Sequence, residues 1–402
     1  TTFILHLPES VSVKLKRLTY VMLRIELLTS ENNIFERSSY MAKHDLVKIA
    51  STPEHYKKYG VKDNLIEKRE DGIHTDGNPG NYEWWYFDAN MDDGSNLVIT
   101  FHTKPFTSSF LPLSPMVSMD YNGKDGSKIS KMFRGTQENF SAAKDQCDVQ
   151  TGNNEFKGDL KNYTIHIEID DVVADIELKR MIPSWRPGAG MILYGPEEKD
   201  EYGWLVAVPK GEVTANITQA GNTKTCHGYG YHDHNWGNRN LVELKHHGYW
   251  GRAEVDGFTF INAVNYAPKE FGYQDFIMFM LADGNSIIAD DSSKVTFTSA
   301  NEFIDEVTHK PIAKNISYLY EDGDKKYRIS YEVENVILQV SMLDTLSSEQ
   351  KEAAIKQGMD PAYLRFAGSV TLEIFDKEQV VESHKGNAMW ESMYFGNPDE
   401  FK

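Results

Sequence analysis

Residues 228–238, GYGYHDHNWGN, bring two histidines, an aspartate and three aromatic side chains into eleven positions. Written as a β-strand, the stretch puts His232, His234 and Trp236 on one face and Tyr231, Asp233 and Asn235 on the other. Two histidines one residue apart on a strand face can share a metal ion. The glutamate that such barrels add a few residues later is missing, because Glu243 comes late. In a second reading Asp233 or a tyrosine orients a histidine that moves protons, and Trp236 walls an apolar pocket. A third is purely structural: Asn235, Gly237 and Asn238 end the strand, and the histidines bond backbone carbonyls.

A second stretch, YEWWYFDA (82–89), has similar chemistry. Glu83, Trp85 and Phe87 share one strand face, and Trp84, Tyr86 and Asp88 the other. If Asp93-Gly94 forms a two-residue hairpin loop, Trp85 lies opposite His102 and Glu83 opposite Lys104. In an apolar barrel the pKa of Glu83 would then rise, making it a usable proton donor near neutral pH, or its charge would need a partner. The plainer alternative is an amphipathic edge with a Glu83–Lys104 surface pair. Three further stretches are aromatic. GYWGRAEV (248–255) sets Trp250, Arg252 and Glu254 on one face, GNAMWESMYFG (386–396) adds Trp390 and Glu391, and PSWRPGAG (183–190) reads as a rigid loop at a rim or lid. G-x-S-x-G, H-E-x-x-H, P-loop, G-x-G-x-x-G and C-x-x-C patterns are absent, which removes the usual anchors of hydrolase, zincin, nucleotide and thiol-redox chemistry.

The elements that must hold these residues are strands. Asp-Gly occurs seven times, mostly between alternating apolar runs, as tight hairpins require. YTIHIEID (163–170), VADIELK (173–179) and YRISYEVENVILQVSML (327–343) alternate with period two. One helix is expected, with Ser347 and Gln350 as a capping box and Gly358 as its stop. Residues 81–106 and 247–271 share one plan: an aromatic strand, an Asp-Gly turn, an apolar strand and a proline. Either the chain repeats a β-unit, or any two hairpins look alike. We expect an all-β protein with residues 1–60 as a peripheral extension, an N-terminal unit over 61–240 and a C-terminal unit over 241–402.

The totals narrow the function. Forty-two Lys and Arg against 60 Asp and Glu give a net charge of -18, which disfavours phosphate backbones and anionic lipid. The two cysteines, Cys147 and Cys226, make no disulfide framework. No apolar run reaches the length of a membrane span, and residues 11–28 are too charged for a signal-peptide core. The expectation is a cytoplasmic monomer with a small hydrophobic substrate, no nucleic-acid partner and no stable membrane insertion.

YEWWYFDA followed by GYGYHDHNWG resembles the carotenoid 1,2-hydratase (hydroxyneurosporene synthase) and AttH-like family, whose relatives include decalin-forming Diels–Alderases and kievitone hydratase. The resemblance runs over roughly residues 70–402. It implies two tandem lipocalin-like antiparallel β-barrels and an enzyme without cofactor or metal, acting on an isoprenoid or polyene between the barrels. In the hydratase branch it points to His234 and Trp236, with His232 and Asp233 beside them. That branch also uses a tyrosine–aspartate pair, where INAVNYAP (261–268) offers Asn265 and Tyr266 but no aspartate. In the cyclase branch it points to Glu83, Trp84 and Tyr86. The reading that follows makes Glu83, Asp233 or His234 the acid that protonates a C=C bond for hydration or cyclisation. Trp84, Trp85, Tyr86, His102, His232, Trp236, Trp250, Tyr266 and Trp390 then contact substrate. A pericyclase of Diels–Alder type and a non-catalytic lipid or pigment carrier are the alternatives.

Overall fold

The computed structural model describes residues 46–105, 109–345, 347–356 and 358–401. Among these, nearly everything outside turns is antiparallel strand, in one 13-stranded and one 9-stranded sheet, with two α-helices, Pro53–Tyr59 and Ser348–Lys356. The first sheet curls into a half-barrel, and the expected all-β fold of two tandem lipocalin-like barrels holds. The second helix falls where the capping pattern put it, and Gly358 follows it with φ +72°.

Each sheet is organised around one long hairpin. In the first, Asp200–Gln219 pairs with Asn222–Gly237; in the second, Met359–Asp376 pairs with Gln379–Gly396. The last strand of each hairpin then bonds an aromatic strand, Tyr82–Met91 in the first sheet and His247–Val255 in the second. Each aromatic strand in turn pairs with its own hairpin mate, Asn96–His102 or Phe258–Tyr266. The echo in the sequence is therefore a repeat in topology. Gly94, Gly257 and Gly323 stand at hairpin tips with positive φ, as Asp-Gly turns require.

Each sheet buries its own apolar face. Phe87, Phe101, Phe156 and Ile165 belong to the first core, and Phe260, Tyr331, Phe366 and Trp390 to the second. A third cluster joins the sheets: Trp185, Trp204 and Tyr231 pack with Ile261, Ala263 and Met278. The stretch 183–190 is thus a buried strut rather than a lid. Trp185 bridges to Val206, and Arg186 is 7% exposed.

Of the expected peripheral extension, residues 1–45 lie outside the described residues. Residues 46–60 do not behave as an extension. Val47–Ile49 pairs with Met191–Tyr194, and both Val47 and Ala50 are buried. No helix among the described residues is long and apolar enough to cross a membrane.

Close packing is least forgiving at Gly203, directly opposite Trp236, where an added Cβ would fall 2.0 Å from the indole. Gly203→Ala should lower the unfolding free energy by about 1–3 kcal/mol in a urea titration. A wild-type midpoint would show that Trp236 is not held against this backbone.

Candidate functional site

The two motifs of the sequence are hydrogen-bonded neighbours. Trp85 pairs with His234, Phe87 with His232, and Glu83 with Trp236. Alternation sends these side chains into the first sheet's core, while Trp84, Tyr86 and Asp88 share the opposite face with Asn235, Asp233 and Tyr231. The expectation that His232, His234 and Trp236 line a cavity between two barrels is corrected here: they face the interior of one. The face that meets the second sheet belongs to the alternate residues.

Inside the first sheet His234 is held between two carboxylates. Its Nε2 lies 2.8 Å from Glu83 Oε1, and its Nδ1 3.3 Å from Asp71 Oδ1, all three residues being 1% exposed or less. Trp85 stacks on its ring at 4.4 Å, and His74 stacks on Trp236 at 3.8 Å. Glu83 also accepts from the backbone N–H groups of His74 and Thr75 and from the Thr75 hydroxyl. Asp71 accepts the Tyr163 hydroxyl at 2.6 Å and lies 3.2 Å from His232 Nε2. Burial alone would raise the Asp71 carboxyl, but the charge and hydrogen bond of His232, with the nearby charge of His234, outweigh it and hold the group well below its ordinary 3.8. Burial likewise opposes charge on His234, yet Asp71 and Glu83 together raise it above 6.5. Burial pushes the Cys147 thiol and the Tyr163 phenol up.

The expected register of the 82–102 hairpin is off by one. Trp84, not Trp85, lies opposite His102, because the loop has three residues, Asp92–Gly94, with Met91 accepting from Gly94 N–H. His102 therefore sits on the outer face near Trp84, and burial lowers its pKa to about 4. Lys104 does not pair with Glu83. Its ammonium donates to the carbonyls of Gly77, Asn78 and Leu111, and burial lowers its pKa to about 8.

Between the sheets a second constellation forms. Asp88 of the first sheet binds Arg252 of the second at 2.5 Å, and the guanidinium covers the Tyr231 ring at 4.4 Å. Tyr231 also contacts Tyr86 and Trp250. Behind it lies Asp233, which accepts from Tyr231, Trp204 and Asn235. Burial raises its pKa, while these three donors hold it as an acceptor. Next to this group, Tyr363 donates to Glu391, and Arg365 lies 3.7 Å from the same carboxylate. Tyr86 feels the charges of Asp88, Glu391, Arg252 and Arg365. Burial lowers the pKa of Lys245 to about 8, against the opposing pull of Glu391.

Other sequence candidates are not brought together. Trp390 packs in the second core against Tyr331 and Phe366, while the next residue along the strand, Glu391, faces the other way, opposite Trp250. Tyr266 stacks on His247 at 4.4 Å. Sequence reasoning missed Asp71, His74 and Tyr163, since nothing in the turn Lys68–Asp71, the segment 72–75 after it or the strand Asn162–Ile169 marks them as converging. Arg252 and Glu391 stood on recognised strand faces, so the pairing of those strands would have found them.

No family model matches the chain. It is 27% identical over 207 residues to the hydroxyneurosporene dehydrogenase of Chlorobaculum tepidum, a match covering 44% of this chain and about half, 54%, of that relative. The crystal structure of CghA matches with a TM-score of 0.56 at 13% identity, over 84% of this chain and 97% of CghA. A putative AttH of Nitrosomonas europaea matches with a TM-score of 0.52 at 16% identity, over 82% of this chain and 96% of that one. The chain thus shares the fold of CghA and of that putative AttH, and over 44% of its length it is related in sequence to the hydroxyneurosporene dehydrogenase.

Two outcomes follow. Removing one partner from a buried ion network leaves a charge uncompensated, so Asp71→Asn should cost about 3–5 kcal/mol of stability in chemical denaturation; an unchanged midpoint would show that Asp71 and the histidines are not paired. Lys245 has a folded pKa below its ordinary 10.5, so its charge opposes folding fully below about pH 8, and the penalty fades as pH rises toward 10.5. Lys245→Met should therefore raise the melting temperature at pH 7, with the gain shrinking between about pH 8 and 10.5. A pH-independent gain would contradict the assignment.

Proposed function

We propose that this protein is an enzyme of the hydratase or cyclase kind that holds an apolar, unsaturated substrate between its two sheets. One observation carries the reading: aromatic faces and partly exposed ionisable groups from both sheets converge there. Tyr86 and Trp250 stand beside the Asp88–Arg252 pair, whose side chains are 16% and 17% exposed. Glu391 and Arg365 are 23% and 44% exposed, against near-complete burial of the Asp71–His234–Glu83 network. A substrate reaches the first group without opening a barrel.

The chemistry available is positioning plus electrostatics. Tyr86 and Trp250 offer flat walls against which a polyene folds, and their rings stabilise cationic character that develops along it. Arg252, Arg365 and Lys245 form a cationic end suited to a carbonyl oxygen that gains negative charge, while Glu391, bonded by Tyr363, is the group able to take or give a proton. Water capture of a protonated double bond gives hydration; attack by a second double bond gives a ring. The relative named for hydroxyneurosporene supports a carotenoid-type substrate, and CghA, which has the same fold, is known in complex with Sch210972.

Incubation with a panel of linear isoprenoids and polyenes, read by mass spectrometry, separates the outcomes. Hydration adds the mass of one water, cyclisation yields an isomer with new retention, and a carrier returns its ligand unchanged. Glu391→Gln should lower turnover by about 100-fold or more, and Trp250→Ala should weaken substrate binding. Trp390→Phe, in the second core, should leave both intact. Full turnover in Glu391→Gln and Trp250→Ala would sink the proposal.

A further inference from the structure

We propose that Asp71, Cys147 and His232 form a site for a divalent transition-metal ion inside the first sheet, zinc being the ion that suits the donor set. A carboxylate oxygen, a sulfur and an imidazole nitrogen of these residues all lie within 4.8 Å of one another, and each residue is 1% exposed or less. They come from three segments, the turn Lys68–Asp71 and the strands Cys147–Thr151 and Asn222–Gly237. The fold gathers them.

The surroundings of His232 carry the argument. Its Nδ1 lies 2.8 Å from the Tyr86 carbonyl oxygen, which can only accept, so Nδ1 holds a proton. A neutral ring then turns the Nε2 lone pair toward Asp71 Oδ2, 3.2 Å away. Two lone pairs do not attract, so a cation belongs between them: a second proton in the metal-free protein, which the metal ion replaces on binding. Tyr163 already donates to that oxygen. The other carboxylate oxygen, Oδ1, and His234 Nδ1 are both buried without completing a hydrogen bond. A carbonyl that fixes a histidine's tautomer and a hydroxyl that steadies a carboxylate are outer contacts typical of metal ligands.

Charge and donor type point the same way. A thiolate and a carboxylate neutralise a divalent ion, while a ligating His232 is neutral. His234 and Glu83 then form a second, self-balanced pair. Sulfur with imidazole and one carboxylate favours zinc over magnesium or calcium, which take oxygen. On binding, Cys147 exchanges its S–H bond for a metal–sulfur bond, and its proton and the second proton of His232 leave to solvent, so no oxidant or reductant is needed. The site faces the first core, so this inference stands independently of substrate binding between the sheets.

Expression in cobalt-supplemented medium, followed by dialysis, elemental analysis and absorption spectroscopy, tests it. The full chain should retain about one cobalt and show a thiolate-to-cobalt charge-transfer band. Cys147→Ser should abolish the band and reduce retained metal by about tenfold or more, with folding checked by far-ultraviolet circular dichroism. His166→Gln, an exposed histidine variant, should change neither. Folded wild-type protein without stoichiometric metal after both zinc- and cobalt-supplemented expression would overturn the proposal. So would a cobalt spectrum that survives Cys147→Ser. If Cys147→Ser does not fold, the wild-type spectrum decides alone: the charge-transfer band supports the site and its absence overturns it.

Discussion

A carboxylate taken out of water must be met by charge or hydrogen bonds, and Asp71 meets that requirement by reaching across the first sheet. Its partners are His232 and His234 on one strand and Tyr163 on another, and the Trp85 indole donates to its backbone carbonyl. This single residue therefore fixes the turn that carries it against two strands. Through Trp85 it also touches the inward face of Tyr82–Met91. With Glu83 and Trp85 committed to the core, Trp84, Tyr86 and Asp88 have no alternative but the side that meets the second sheet.

The same alternation governs the second sheet. Trp390 and Tyr249 fill its core, so Glu391, Trp250 and Arg252 face outward toward the first sheet. The Asp88–Arg252 pair closes the contact between sheets with a charge from each. Gln274 reinforces it by bonding the backbone of Leu46 and Val47 as a strand would. The polar groups between the sheets are thus held by two barrels, each with its own packed apolar core. That rigidity is what a positioning catalyst or a tight binder needs.

Much of this was legible in the sequence and some was not. Strand alternation and Asp-Gly turns disclosed an all-β chain and its two hairpin units, because period-two burial is a local property. The faces of GYGYHDHNWG and YEWWYFDA were also readable. Their partners were not. The register of Trp84 opposite His102 hung on one extra loop residue, and a slip of one moved His102 to the other side of the sheet. Asp71 looked like another turn aspartate, since its ligands come from strands about 90 and 160 residues away. Which of the aromatic residues share a chamber depended on strand pairing, and that separates Trp390 from Trp250 although they lie on adjacent strands of one sheet.

In the function proposed here, substrate lies between the sheets and not inside either one. Photo-crosslinking a polyene probe bearing a diazirine, followed by peptide mapping, tests this most directly. Adducts are expected on Tyr86, Trp250 and their neighbours in strands Tyr82–Met91 and His247–Val255, competed away by unlabelled polyene. Competed adducts on His234 and Trp236, or on Tyr331 and Trp390, would place the ligand inside a barrel and contradict it.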